Sequence, residues 1–481
     1  MSMNKENKSF LINGVVSLVI CFGIWSIPTA APLTEAGVHA LGILAGLVYG
    51  LCTIGYAVPS FVAIILLAFS GCYDSFTSAI VACFGNYIVT MLIGLLLFAG
   101  LMTHTGLARA LAHRIVNAKA ASGRPWVLTL MILLAAVIPS MFLNAIPVTI
   151  IVLDIVIGIF ETLGCKKGDK WATIMMISIP GVAVFAQGVM PFQMGTATDY
   201  GILNSLDHTL TCPTGPYLAS SFVILVVYLA LVFITIRFLF RPDVTAVYNY
   251  KAPEKNAPFT SDQKRALLIL IGFVFFLLVP VALPAGKLKS ALAGLGTTGI
   301  AFAAVGAALM MRNKDGSPFI TIREIADAGM HWDLLIMVAA LNGICGCMTN
   351  SSIGISAWLS GLFSPMVSGL SPYAFFVVFM TMVTLATNVI DNIAVAFVSI
   401  PLMYTVTKSM GLSAVAFLAF TTHSAQFGLW LPASSPMSAV TYSKVGSGWV
   451  TRKSIMTYSL VFVLIYLICT YTVGYATISW F

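Results

Sequence analysis

Apolar runs of about 20 residues recur along this chain, and no other feature restricts its fold so severely. They include residues 10–28, 217–236, 266–283, 291–311 and 455–475. Each is long enough to cross a hydrocarbon core of roughly 30 Å as a helix. Inside lipid every backbone N–H and C=O must be paired within the protein, which leaves helices or closed barrels. Unbroken apolar runs of this length suit helices. Hydrophobic residues make up 59% of the chain and charged residues 8%, whereas a soluble domain carries about a quarter charged residues. The expected fold class is an all-α polytopic membrane protein, with about 11 transmembrane helices plus two re-entrant hairpins in an inverted repeat. Residues 10–28 lack a clear small-x-small cleavage site, so they are read as an uncleaved first helix rather than a signal peptide.

The net charge of +8 is distributed in a way that speaks of a membrane and not of a nucleic acid. With the N-terminus inside, 21 of the 24 Lys and Arg residues fall on the cytoplasmic side, and only Lys287, Lys289 and Lys408 fall outside. That bias is the positive-inside rule. The chain is therefore expected as a multi-pass protein of a cell membrane, a bacterial inner or plasma membrane, with its C-terminus outside. The nine cysteines have no metal-ligand spacing and read as small buried apolar residues. Asn350-Ser351-Ser352 matches a glycosylation sequon, a three-residue signal of low specificity. No Walker loop, GxGxxG or HExxH motif occurs, no soluble catalytic domain is present, and no cofactor is expected.

The chain also repeats itself. Gly106 precedes Asn144 by 38 residues, and Gly354 precedes Asn392 by 38 residues. Further on, "AQGVMPFQMGTATDYG" (186–201) matches "AQFGLWLPASSPMSAV" (425–440). The offset is 248 in the first pairing and 239 in the second, so the repeat pairs Asn144 with Asn392. The expected organisation is a first helix (1–30), a first repeat (31–240), a cytoplasmic linker (241–265) and a second repeat (266–481). Hairpins are expected at about 126–165 and 371–410, with broken helices at about 171–201 and 413–441. Topology makes the halves inverted, an arrangement in which transporters place substrate at the repeat interface, near discontinuous helices.

Polar side chains gather where the breakers lie. Ser140, Asn144, Thr149, Gln187, Gln193, Thr196, Thr198 and Asp199 form the first cluster; Thr387, Asn388, Asp391, Asn392, Gln426, Ser434, Ser435 and Ser438 form the second. Helix N-termini offer donors and partial positive charge to anions, while freed carbonyls with Asn, Ser and Thr oxygens form a hard-oxygen shell suited to Na⁺. Neither cluster holds Arg or Lys. Ser and Thr also bond to the preceding helical turn, so single hydroxyls have a structural reading beside the ligating one. An ionisable residue at membrane depth, such as Asp391, is costly and marks a functional position by default.

Paired Asn-bearing hairpin tips, each followed by a broken helix with a polar loop, resemble the divalent anion/sodium symporter family of di- and tricarboxylate carriers. The similarity rests on Leu143-Asn144-Ala145, Asp391-Asn392-Ile393, Pro401, Gly195-Thr196-Ala197-Thr198-Asp199 and Ser435-Pro436-Met437-Ser438, and covers nearly the whole chain after Phe10. It implies substrate contacts at Asn144, Ala145, Thr196, Thr198, Asn392, Ile393, Ser435 and Pro436. It implies cation contacts at Ser140, Asn144 and Gly195 in one half, and at Thr387, Asp391, Asn392 and Ser434 in the other. The chain departs from the family's Ser-Asn-Thr tips: both threonines are replaced, by Ala145 and Ile393, and Asp391 and Asp199 stand where the family keeps a serine and an asparagine. Fewer hydroxyls leave the substrate class open, and added carboxylates favour tighter cation binding or proton coupling.

The function expected is secondary-active transport of an organic anion, driven by Na⁺ or H⁺ or by exchange. A hairpin-bearing transport domain would move against a scaffold that forms a homodimer. The alternative is a cation/proton antiporter or metalloid permease of the same superfamily, with Asp391 titrating. His423 reads either as a proton relay or as a hydrogen-bonded structural histidine.

Overall fold

The computed structural model describes residues 5–253, 257–284, 286–367, 369–432 and 434–481; residues 254–256 of the expected linker lie outside these. The described chain is helical throughout, apart from one isolated bridge between Arg312 and Pro318. Its first helices are α1 (Lys5–Trp25), α2 (Glu35–Thr53), α3 (Ala57–Leu67), α4 (Phe76–Phe84), α5 (Tyr87–His104) and α6 (Leu107–Val116). There follow α7 (Pro125–Phe142), α8 (Ala145–Thr162), α9 (Lys170–Ala186), α10 (Met194–Leu206) and α11 (Thr214–Ile234). The next group is α12 (Ser261–Ala282), α13 (Lys287–Met310), α14 (Ile322–Gly329), α15 (Trp332–Thr349) and α16 (Ile355–Val367). The last is α17 (Pro372–Thr387), α18 (Asn392–Ser409), α19 (Ala414–Gln426), α20 (Pro436–Ser443) and α21 (Arg452–Cys469). Among the described residues nine helices are long and apolar enough to cross a membrane, and several shorter apolar helices accompany them. The chain is a polytopic helical membrane protein.

Two sequence boundaries shift. The apolar run 291–311 is not one straight span: α13 turns at Gly296, whose φ of 57° only glycine adopts without strain. The stretch 241–265 is not all linker, because Thr260 caps α12 and the helix begins at Ser261.

Helices approach closely where side chains are small, the usual device in lipid, where burial of apolar surface drives little. Gly42, Gly46 and Gly50 recur every fourth residue on α2. The first two face α1, where the Ser17 hydroxyl donates to the Gly46 carbonyl at 2.8 Å; the third faces Pro59 of α3. Gly100 of α5 and Gly329 of α14 meet backbone to backbone.

One order of elements occurs twice. A helix (α5, α15) ends near a glycine with positive φ, Gly106 or Gly354. A shorter helix follows (α6, α16), then a tight helix pair (α7–α8, α17–α18), then a helix interrupted by irregular backbone (α9–α10, α19–α20). A long helix ending in a π-helical turn closes each series (α11, α21). In both helix pairs the first member begins on proline, Pro125 or Pro372, whose missing N–H costs nothing at a helix start. The tips fall at Asn144 and Asp391, which cap α8 and α18 by accepting the N–H groups of Ile146 and Ile393, each at 3.0 Å. Both pairs close on a positive-φ glycine, Gly164 or Gly411. From Pro125/Pro372 through Asn144/Asp391 to Gly164/Gly411 the structural offset is 247, not the 248 read from the letters. The positional counterpart of Asn144 is therefore Asp391; Asn392 is the first residue inside α18.

Candidate functional site

A cavity of about 300 Å³ opens where the two tips and the two breaks meet. Its polar wall comes from helix starts: Asn144, Ala145 and Ile146 of α8; Gln193, Met194 and Gly195 of α10; Asn392 and Ile393 of α18; Ser435, Pro436 and Met437 of α20. The first N–H groups of a helix have no intrahelical acceptor and carry its positive partial charge. Four such ends line one space, and among the described residues neither Lys nor Arg does. The opposite wall is mostly apolar and comes from α5, α12 and α15, through residues such as Leu96, Phe98, Phe273 and Val338, together with Tyr56, His331 and Asp333.

Of the residues expected at a substrate or cation site, Asn144, Ala145, Gly195, Thr198, Asn392, Ile393, Ser435 and Pro436 line this cavity. Thr196 lies behind it, fully buried, with its hydroxyl 3.4 Å from the Gly188 carbonyl and 3.2 Å from the Tyr217 hydroxyl. Ser140, Thr387, Asp391 and Ser434 are also buried behind the lining. Thr387 donates to the Ala425 carbonyl, and Ser434 donates to that of Leu431 at 2.6 Å. Asp391 uses one oxygen to cap α18; the other accepts from the Tyr56 hydroxyl at 2.7 Å.

The second break shows how irregular backbone survives at membrane depth. The carbonyls of Phe427, Gly428, Leu429, Trp430 and Leu431 each accept from a side chain: Asn388, Ser435, Ser438, Tyr442, and both Ser434 and Ser438, respectively. Asn388 does most of this stitching. Its amide nitrogen donates to Thr384 and Phe427, and its amide oxygen accepts the N–H groups of Leu429 and Trp430. Asn392 differs: its Oδ1 is buried and has no hydrogen-bond partner. Leaving an amide oxygen bare in a dry site costs about 1–3 kcal/mol. Thr387 and Ser434, having donated, keep lone pairs.

The first break is built the other way. Gln193 reaches from the break to the hairpin, and its amide nitrogen sits among the carbonyls of Ser140 (3.2 Å), Met141 (2.8 Å) and Leu143 (3.2 Å). The Ser140 hydroxyl has no partner. Of the cation contacts expected at Ser140, Asn144 and Gly195, Ser140 has its carbonyl beside a protein donor, the Gln193 amide.

Two carboxylates face the cavity, Asp333 and Asp199, the latter 3.3 Å from the Gln426 amide nitrogen. His423 is buried and hydrogen-bonded: its Nε2 lies 2.8 Å from the Ser221 hydroxyl, and its ring stacks on Phe185 and Tyr217. Tyr56, His331 and Asp333 escaped the sequence reading. Tyr56 stands 335 residues from the aspartate it meets, and nothing in its local sequence signals that partner.

In the comparison with solved structures, the fold matches the YdaH transporter of Alcanivorax borkumensis, with a TM-score of 0.53 at 14% identity over 99% of this chain and 98% of that one. Among curated proteins, an uncharacterized transporter of Synechocystis sp. is 26% identical over 117 residues, which is 24% of this chain but only 19% of that relative's length. The model of the citrate transporter family matches residues 40–425. That span runs from α2 through both hairpin tips into α19, most of the cavity wall included, and the chain belongs to the citrate transporter family, CitMHS.

Proposed function

We propose that this transporter carries a small organic anion of the di- or tricarboxylate class by secondary-active transport. The observation that supports this best is the meeting of four helix N-termini in one cavity that no Lys or Arg among the described residues lines. An anion held there is bound by backbone N–H groups and by the Asn144 and Asn392 side-chain NH₂ groups. Its volume of about 300 Å³ suits a small ligand.

Asp199 and Asp333 in the same cavity would repel a bare anion, which favours positive charge travelling with it, as Na⁺ or H⁺. A sodium ion would use the uncommitted Asn392 Oδ1 with Thr387 and Ser434; a proton would use Asp391 or Asp199, both buried carboxylates. Exchange of one anion for another is the third mode. The repeated series of helices is taken as inverted, with the N-terminus cytoplasmic and the C-terminus outside. Helices α7–α10 and α17–α20 form the moving unit, and α5, α12, α15 and Tyr56 belong to the wall it slides along in a homodimer.

Purified protein in liposomes tests this. Asn392→Ala should abolish citrate or dicarboxylate uptake and leave the melting temperature within a few degrees of the wild type, since Asn392 Oδ1 bonds nothing. Asn144→Ala is less clean, because losing the α8 cap costs about 1 kcal/mol by itself. Uptake that survives Asn392→Ala overturns the site assignment. Dissipation of a pH gradient by Na⁺ without any organic anion would instead point to cation/proton antiport.

A further inference from the structure

We infer that Gln193 closes the first hairpin to alkali cations by filling the position with its own carboxamide. Three observations converge. Helix α7 ends at Phe142 without continuing into α8, so its last carbonyls have lost their intrahelical donors. Three carbonyls of this end, those of Ser140, Met141 and Leu143, lie 2.8–3.2 Å from a single nitrogen, Nε2 of Gln193. Only the NH₂ end of an amide can face three carbonyl oxygens, so the orientation of the group is fixed by its surroundings. The third observation is the Ser140 hydroxyl, fully buried and unpartnered at the same place.

A group of backbone carbonyls with a spare hydroxyl is a hard-oxygen cage of the kind that binds a monovalent metal ion. Here the partial positive charge comes from the protein. Gln193 caps α10 in position but makes no side-chain cap bond there, its side chain having left for the hairpin. The second hairpin shows what the first has given up. Its amide staple, Asn388, lies on the hairpin and reaches the break, and the buried Asn392 Oδ1 has no hydrogen-bond partner. Any alkali-cation dependence of this carrier therefore enters through the second tip.

The inference concerns ion binding and can be read without a substrate, so it stands or falls apart from the anion reading, which uptake reports. Equilibrium binding of ²²Na⁺ to detergent-purified protein is compared for wild type, Gln193→Ala and Ser140→Ala, with Na⁺-dependent thermal unfolding in parallel and choline chloride as the ionic-strength control. Gln193→Ala opens the cage and should bind about one more Na⁺ per chain than the wild type, with a Na⁺-dependent rise in melting temperature that follows occupancy. Ser140→Ala should leave the wild-type stoichiometry unchanged, because no ion uses that hydroxyl. An unchanged stoichiometry in a folded Gln193→Ala protein overturns the inference, and so does lost Na⁺ binding in Ser140→Ala. The second arm decides alone if Gln193→Ala does not fold.

Discussion

Two asparagines four residues apart, Asn388 and Asn392, do opposite work. Asn388 is buried and makes four side-chain hydrogen bonds, two given and two accepted; one stays within α17, at Thr384, and three join α17 to the irregular backbone after α19. Removing it strands the Phe427 carbonyl and the Leu429 and Trp430 N–H groups where no lipid can replace the amide. Each such loss costs about 1–3 kcal/mol in a dry site, and Asn388→Ala should therefore lower stability by about 3 kcal/mol or more. Thermal unfolding in detergent checks this, and a drop below about 1 kcal/mol would mean that water already reaches the break. Both residues were legible as polar letters in an apolar run. Their roles were not, because the Phe427, Leu429 and Trp430 groups that bind Asn388 lie 39–42 residues along the chain. The amide that looked surplus is the staple, and the other is the one left with a bare oxygen.

Helix breaks depend on close backbone approach, and the two breaks differ in how much they tolerate. A Cβ at Gly428 would meet the carbonyl oxygens of Ser434 at 2.7 Å and Thr387 at 2.9 Å, both fixed by hydrogen-bonded backbone. A Cβ at Gly195 would meet the amide end of Gln426 at 2.6 Å, the far end of a flexible side chain. Gly428→Ala should thus cost about 2–3 kcal/mol, the upper range for overpacking a tight core, and Gly195→Ala clearly less. Gly195→Ala also displaces the Gln426 nitrogen from Asp199, so it should alter the pH dependence of uptake while the protein stays folded. Thermal unfolding ranks the two variants, and equal losses would show that the Gln426 amide cannot yield. At this scale the helix pairs were legible in the repeated 38-residue spacing of Gly106 to Asn144 and Gly354 to Asn392, but their register was not. Matching letter to letter aligned Asn144 with Asn392, whereas a helix cap needs only a short side-chain acceptor, which aspartate supplies as well as asparagine. Chemistry of position, and not identity, aligns Asn144 with Asp391.

The cavity wall formed by α5, α12 and α15 was invisible as a site, because leucine, phenylalanine and valine in a membrane helix read the same whether they face lipid, core or ligand. In the proposed transport cycle the wall divides what moves from what stays. Tyr56 precedes α3, which packs with α2 and α15, and its hydroxyl holds Asp391 at the second tip. If the tips travel relative to the wall, that hydrogen bond breaks once per cycle and the cavity opens to each side in turn. None of the nine cysteines lines the cavity, so a cysteine at Ile393, which does, reports on the cavity without removing any native contact of a polar group. Ile393→Cys should react with a membrane-impermeant maleimide from either face of a vesicle, and bound citrate should slow labelling from both. Labelling by that maleimide should stop uptake, since the adduct occupies the cavity. Reaction from one face only, whatever ion or substrate gradient is imposed, would show that tips and wall move together and that alternating access by this motion is wrong. Reaction from both faces with equal citrate protection would make the space between the tips and α5, α12 and α15 the path of transport.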